Sequence, residues 1–103
     1  MNEVTLVGRW SKDPELRHTS EDKPVADCRI AVNRTKSDTT DFIPVIVWGN
    51  TAKAVAEHTK KGSLVGVHGR IQVREYEKEG TRYWITEVVA EKVKFLDRKK
   101  EEE

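Results

Sequence analysis

Cysteine is almost absent from this 103-residue chain, with Cys28 its one example. A single thiol closes no internal disulfide, so a stapled secreted scaffold is excluded. No apolar run approaches the roughly 18 residues a membrane-spanning helix needs. The opening Met1-Asn2-Glu3-Val4 has no basic segment followed by an apolar stretch, so no signal peptide is read and the cytoplasm is the expected location. An excess of one charge sign is missing too: 19 Lys and Arg face 18 Asp and Glu, for a net +1. A strongly basic balance would point to nucleic acid. With 36% of residues charged, what matters instead is where the cations sit. Acidic residues gather in 13–27, 75–79 and the C-terminal end, whereas arginines recur on strands that also carry aromatics. Without Glu101, Glu102 and Glu103 the formal charge moves from +1 to +4.

Catalytic constellations are equally scarce. Cys28 falls on the apolar side of its segment, where a small buried hydrophobe is expected rather than a nucleophile. His18, His58 and His68 lie in a loop, a helix and a strand with no metal-ligand spacing between them, so neither a metal nor a cofactor is expected. Gly62, Gly66 and Gly69 lack the Gly-Lys-Ser/Thr ending of a phosphate loop, and close backbone approach in a small barrel accounts for them better. Asn33-Arg34-Thr35 matches a glycosylation sequon by chance. No acid–base or metal set supports an enzyme.

What is present is alternation. A chain of this size is one domain with a modest core, and cores of that size gain from oligomerisation. Residues 3–10 read as a strand with Val4 and Leu6 on one side and Thr5, Val7 and Arg9 on the other. Residues 11–24, with Pro14 and Pro24, are expected as a loop. Residues 25–34 alternate again, with Cys28, Ile30 and Val32 opposite Asp27, Arg29, Ala31 and Asn33. After a polar loop at 35–40, residues 41–48 set Phe42, Ile46 and Trp48 against Ile43, Val45 and Val47; Pro44 marks an edge or a bulge. The period then changes: Asn50 is the expected cap of a helix over 50–61, with Gly62 beyond its end. Residues 63–76 set Val65, Val67, Ile71 and Val73 against His68, Arg70, Gln72, Arg74 and Tyr76. A turn at 77–81 around Gly80 leads to a last strand over 82–96, and 97–103 form a charged, disordered tail outside the 1–96 domain. Three strands, one short helix and two strands fit an all-β fold, a five-stranded Greek-key OB barrel with its helix between strands 3 and 4.

The informative pattern is cations and aromatics on polar strand faces. Arg70, Arg74 and Tyr76 share a side by period 2; Phe42 and Trp48 share another, and Trp84 and Trp10 extend the set. Aromatics on a solvated sheet face expose apolar area that a monomer normally hides. Single-stranded nucleic acid accounts for this, because bases stack on aromatics while Arg and Lys follow the phosphates. Core packing is the competing reading for Trp48, Tyr76 or Trp84 taken singly. Pairing with Glu75 or Glu87 is the competing reading for Arg70 and Arg74.

Several ordered motifs also resemble a known family. Val4-Thr5-Leu6-Val7-Gly8-Arg9-Trp10, then Lys12-Asp13-Pro14-Glu15-Leu16-Arg17, Ala31-Val32-Asn33-Arg34-Thr35 and Asp41-Phe42-Ile43-Pro44-Val45-Ile46-Val47-Trp48-Gly49 resemble bacterial and phage single-stranded DNA-binding proteins. So do Lys60-Lys61-Gly62-Ser63-Leu64-Val65, Gly69-Arg70-Ile71-Gln72-Val73-Arg74 and Thr86-Glu87-Val88, so that the likeness spans residues 2–96. The resemblance implies a non-enzymatic OB-fold protein that coats single-stranded DNA in replication, recombination or repair. It implies a homotetramer built as a dimer of dimers, and a nucleoid-associated location. Stacking is then expected on Phe42, Trp48, Tyr76 and Trp84, and phosphate contact at Arg9, Arg34, Lys36, Arg70 and Arg74. Lys36 stands near where the family often has an aromatic, and Trp10 where many members have leucine. Neither a Gly/Gln/Pro-rich linker nor an acidic tip ending in Pro-Phe is present, so recruitment of replication and repair enzymes through such a tip is not expected. The chain is read as either truncated or a tail-less form, such as one from a phage or mobile element. The alternative function is an OB-fold protein-interaction subunit, such as a primosome adaptor, with weak or no DNA binding.

Overall fold

The computed structural model describes residues 1–97. The elements are β1 (Val4–Trp10), β2 (Glu15–His18), β3 (Pro24–Asn33), β4 (Thr40–Trp48), α1 (Gly49–His58), β5 (Leu64–Lys78) and β6 (Thr81–Phe95). Strands neighbour one another in the order β1-β5-β6-β4-β3-β2, and an added β1–β3 pairing closes five of them into a ring. The ring and its single helix between β4 and β5 match the expected OB arrangement. All pairings are antiparallel except β4 with β6, which meet in parallel at Val45–Val47.

Strand parity sorts residues into the ring or out of it. The inner face carries Ala26, Cys28 and Ile30 from β3, Val45 and Val47 from β4, Val65 and Val67 from β5, and Val88 and Ala90 from β6. Ala52 and Val55 of α1 join the same core. Each fully buried side chain of valine size contributes about 1.5–3 kcal/mol. Trp10 completes this core at 1% exposure, and its Nε1 donates to Thr59 Oγ1 at 3.0 Å. Its expected place among the surface aromatics is therefore corrected: Trp10 shares the inward side of β1 with Val4 and Leu6, at the end where β1 meets β3 as well as β5.

Three local expectations also change. Residues 15–18 are a strand rather than loop, paired from Glu15↔Asp27 to His18↔Pro24. All four side chains are exposed, so no apolar alternation announces the strand, and backbone bonds to β3 define it. Thr19 closes that hairpin by accepting amide hydrogen bonds from Glu21 and Lys23 on its Oγ1. The helix starts at Gly49, capped by extended Trp48 without a side-chain bond, and ends at His58, so Asn50 is not its cap. Lys60 and Lys61 lie past its end, in a turn completed by Gly62 at φ 93°. Of the two readings of Pro44 the edge holds rather than the bulge: it lies where β4 pairs with β3 but has not yet met β6.

The one register slip comes between His68 and Gly69 of β5, where Glu91 is the extra residue on β6. A side chain at Gly69 would run into the backbone of Val89 and Ala90, so only glycine fits. Beyond Gly69, β5 leaves β1, and before Val88, β6 has no partner except β5. Residues 70–87 thus form a two-stranded arm. It closes in a two-residue turn, Glu79-Gly80, with φ 52° and 78°, tighter than the expected 77–81 turn. Of the expected charged tail, Asp97 is described: its Oδ2 accepts from the Leu64 amide at 3.0 Å. The rest of that tail lies outside the described residues.

Candidate nucleic-acid interface

The outer face follows from the same register. Trp48 stands beside Val25; Ile46 stands between Asp27 and Val89; Val89 in turn pairs with Arg70. Phe42 lies beside Ala31, and Arg29 beside Pro44. On the arm the face continues through Gln72↔Glu87, Arg74↔Ile85 and Tyr76↔Tyr83. Phe42, Trp48, Arg70, Arg74 and Tyr76 are therefore brought onto one surface. Val25, Ile46 and Val89 give it a small buried apolar floor of its own.

The aromatics on this face are presented, not packed away. Phe42 is 58% and Trp48 43% exposed. Tyr76 stacks on Tyr83, with ring centroids 5.3 Å apart and planes tilted by 22°. Phe42 also forms the wall of a groove of about 480 Å³ lined by Val7, Arg9, Ala31, Asn33 and Thr40. Trp84 departs from the expected surface. It pairs with Glu75, on the opposite side of the arm from Tyr76, sharing that side with Ile71 and Val73. This is the continuation of the inner face beyond the ring, where none of the described residues covers it, and Trp84 is 63% exposed.

The expected cations divide by partner. Arg34 makes a two-pronged contact to Asp41, Nε and Nη2 each at 3.0 Å from a carboxylate oxygen. That hydrogen bonding, with the added charge, holds the Asp41 carboxyl below its ordinary value and the Arg34 guanidinium above its own. Arg9 donates to the Gly62 carbonyl at 2.8 Å and lies 3.6 Å from Asp97. Arg74 donates from Nε to Glu87 at 2.9 Å, so the competing reading of Arg74 as a paired residue describes its contact correctly. Arg70 and Lys36 have no carboxylate within 4.0 Å among the described residues. Lys36 is exposed in the β3–β4 loop.

Four residues of this face were not singled out from sequence. Tyr83 becomes visible once the turn is known to be two residues long, because that places it across from Tyr76. Arg29 already falls on the polar side of its strand by alternation. Arg17 belongs to the unforeseen β2; it meets Asp27 at 2.7 Å, and this hydrogen bond is the main cause of its raised pKa. Glu87 carried no sign of its burial, because carboxylates are rarely enclosed. Among the described residues no cluster of three or more His, Cys, Asp or Glu is placed to hold a metal. The Cys28 thiol, enclosed in the ring, is pushed up to about 12 by burial, which leaves little reactive thiolate near neutral pH.

Comparison with known proteins bears on this surface. The model of the single-strand binding protein family matches residues 1–96. A single-stranded DNA-binding protein of Clostridium tetani is 50% identical over 103 residues, covering 94% of this chain and 71% of its own length. Single-stranded DNA-binding protein 2 of Listeria monocytogenes is 50% identical over 105 residues, covering 96% of this chain and 66% of its own. A Bacillus cereus single-stranded DNA-binding protein is 48% identical over 103 residues, covering 94% of this chain and 61% of its own.

Proposed function

The chain belongs to the single-strand binding protein family, and we propose that its outer face binds single-stranded DNA largely without regard to base sequence. The observation that carries this reading is the row of exposed aromatics Phe42, Trp48 and Tyr76 interleaved with Arg29, Arg70 and Arg74 on one sheet face. Bases stack on the aromatics, each worth about 1–3 kcal/mol, and every base has a face to offer. Phosphates are met by Arg70, Arg74 and Arg29 on the face, by Lys36 in the loop beside it, and by Arg9 and Arg34 on exchange of their protein partners. Trp84 lies off this path. The role is binding, not catalysis, and it serves DNA in replication, recombination or repair, with the nucleoid as its place. The arginines among the aromatics favour this over a protein-interaction subunit, whose docking face would need fewer cations.

The chain acts as a homotetramer. Support comes from surface left open in one copy. β1 pairs with β5 alone from Val4 to Gly8. Val7, Ile71, Val73, Trp84, Phe95 and Leu96 are exposed. Among the described residues no helix is long and apolar enough to cross a membrane. The test of binding is anisotropy of a labelled oligo(dT), compared with a duplex of equal length, in rising salt. Tight binding to oligo(dT) that weakens with salt supports the reading, because neutralised phosphates release counterions. Equal affinity for duplex, or none for oligo(dT), overturns it. Light scattering after size exclusion tests the tetramer; a monomer at micromolar concentration rules it out.

A further inference from the structure

Glu87 is the buried charged residue of the described chain, 3% exposed, yet it lies on the outer face and not in the ring. An enclosed carboxylate is costly unless paired and hydrogen-bonded. Its Oε2 accepts from Gln72 Nε2 at 2.8 Å and from Arg74 Nε at 2.9 Å. Both donors come from β5, facing Glu87 across the arm. The Arg74 side chain remains 46% exposed, and its bond to Glu87 uses only Nε. The two terminal nitrogens, with four N–H groups, have no protein acceptor among the described residues. Tyr76, two residues along the same side of β5, carries the tyrosine stack next to them.

We infer that Glu87 is a positioning residue for DNA: it holds Arg74 by Nε from beneath, so that both Nη groups face outward as a preset phosphate fork beside the Tyr76–Tyr83 stack. An unanchored arginine loses side-chain freedom when it grips a phosphate, whereas one already held loses less. Lysine cannot replace it, because a single ammonium cannot both satisfy a buried carboxylate and present a planar fork. The inference rests on the outer face being the DNA surface.

Its sign separates it from simple electrostatics. Removing an anion from a DNA-binding face should tighten binding; removing the anchor of Arg74 should loosen it. In the full chain, Glu87→Gln is expected to weaken oligo(dT) binding about 3- to 10-fold, the cost of one immobilised side chain. In an Arg74→Ala background the same substitution should add nothing. A general structural role would weaken both backgrounds alike. Unchanged or tighter binding by Glu87→Gln overturns the inference, as does an equal loss in the two backgrounds. Should Glu87→Gln fail to fold, Arg74→Lys decides: affinity as low as that of Arg74→Ala supports the fork, and wild-type affinity overturns it. If Trp48→Ala weakens oligo(dT) binding while Glu87→Gln tightens it, this inference fails and the DNA surface stands. If the wild-type chain ignores oligo(dT), the surface itself is wrong and the inference falls with it.

Discussion

Trp10 and Trp48 end β1 and β4, yet one is 1% and the other 43% exposed. The residue type is the same, and so is the place at a strand end. The difference is parity: Trp10 continues the inward series Val4, Leu6, Gly8, and Trp48 the outward series Phe42, Pro44, Ile46. Inside, an indole meets a ring of valines and a threonine hydroxyl; outside, it stands beside Val25 and faces solvent. Trp84 teaches the complementary lesson. It sits on the inward parity, but on an arm that outruns the ring, so the core it would have joined is not there. Parity decides the face, and the length of the neighbouring strands decides whether that face is buried.

The largest effect should come from breaking the inner half of this contrast. Trp10→Ala is expected to cost about 3–5 kcal/mol of stability, as for other large-to-small core changes. Chemical denaturation measures it, and a loss under 1 kcal/mol would place Trp10 outside the core. Trp48→Ala should reverse the profile: oligo(dT) affinity falls by about 1–3 kcal/mol, while the denaturation midpoint stays close to wild type. A collapse of folding instead would make Trp48 a packing residue. Trp84→Ala should leave oligo(dT) affinity within about twofold but weaken self-association, read by sedimentation at falling concentration. Strong loss of DNA affinity with the tetramer intact would return Trp84 to the stacking set.

Two smaller effects follow from titration. The Cys28 thiol has its pKa raised by burial from 9.0 to about 12, so folding holds its proton more tightly. The resulting stability is complete below pH 9.0 and is lost as pH rises towards 12. Maleimide at neutral pH should therefore label the unfolded chain and spare the folded one; rapid labelling when folded would contradict the burial. Asp41 behaves oppositely. Arg34 holds it below its ordinary 3.8, so the pair stabilises fully above that value and the contribution fades as pH falls through the lowered folded value. Both groups are exposed, and the effect is small. A carboxyl-carbon titration by NMR should show the lowered midpoint, and Arg34→Ala should return it to the ordinary range.

Much of this was legible in the sequence because period 2 is a strong signal wherever one face is apolar. The four long alternating segments, the short helix between the third and fourth of them, and the outward set of Phe42, Trp48, Arg70, Arg74 and Tyr76 all follow from it. What escaped was geometry without an apolar signature. β2 has four exposed side chains and exists through backbone pairing alone. Tyr83 and Trp84 take opposite sides as neighbours in a strand, and which of them joins Tyr76 depends on a turn of two residues rather than five. The inward side of Trp10 is the parity of Val4 and Leu6, but its enclosure depends on the turn after the helix, where Thr59 accepts from its indole. Glu87 reads as one more surface carboxylate until Gln72 and Arg74 are seen closing over it.

The central claim, that the outward tryptophan is the one bases stack on, is met most directly by intrinsic fluorescence. Wild type and Trp48→Phe are titrated with oligo(dT) at low and high salt. Strong quenching is expected in wild type, with an affinity that falls as salt rises. In Trp48→Phe binding should persist with most of the quenching gone, because Trp10 is enclosed and Trp84 faces away. Quenching of equal depth in the two proteins, or none in wild type at saturating oligo(dT), would contradict that claim.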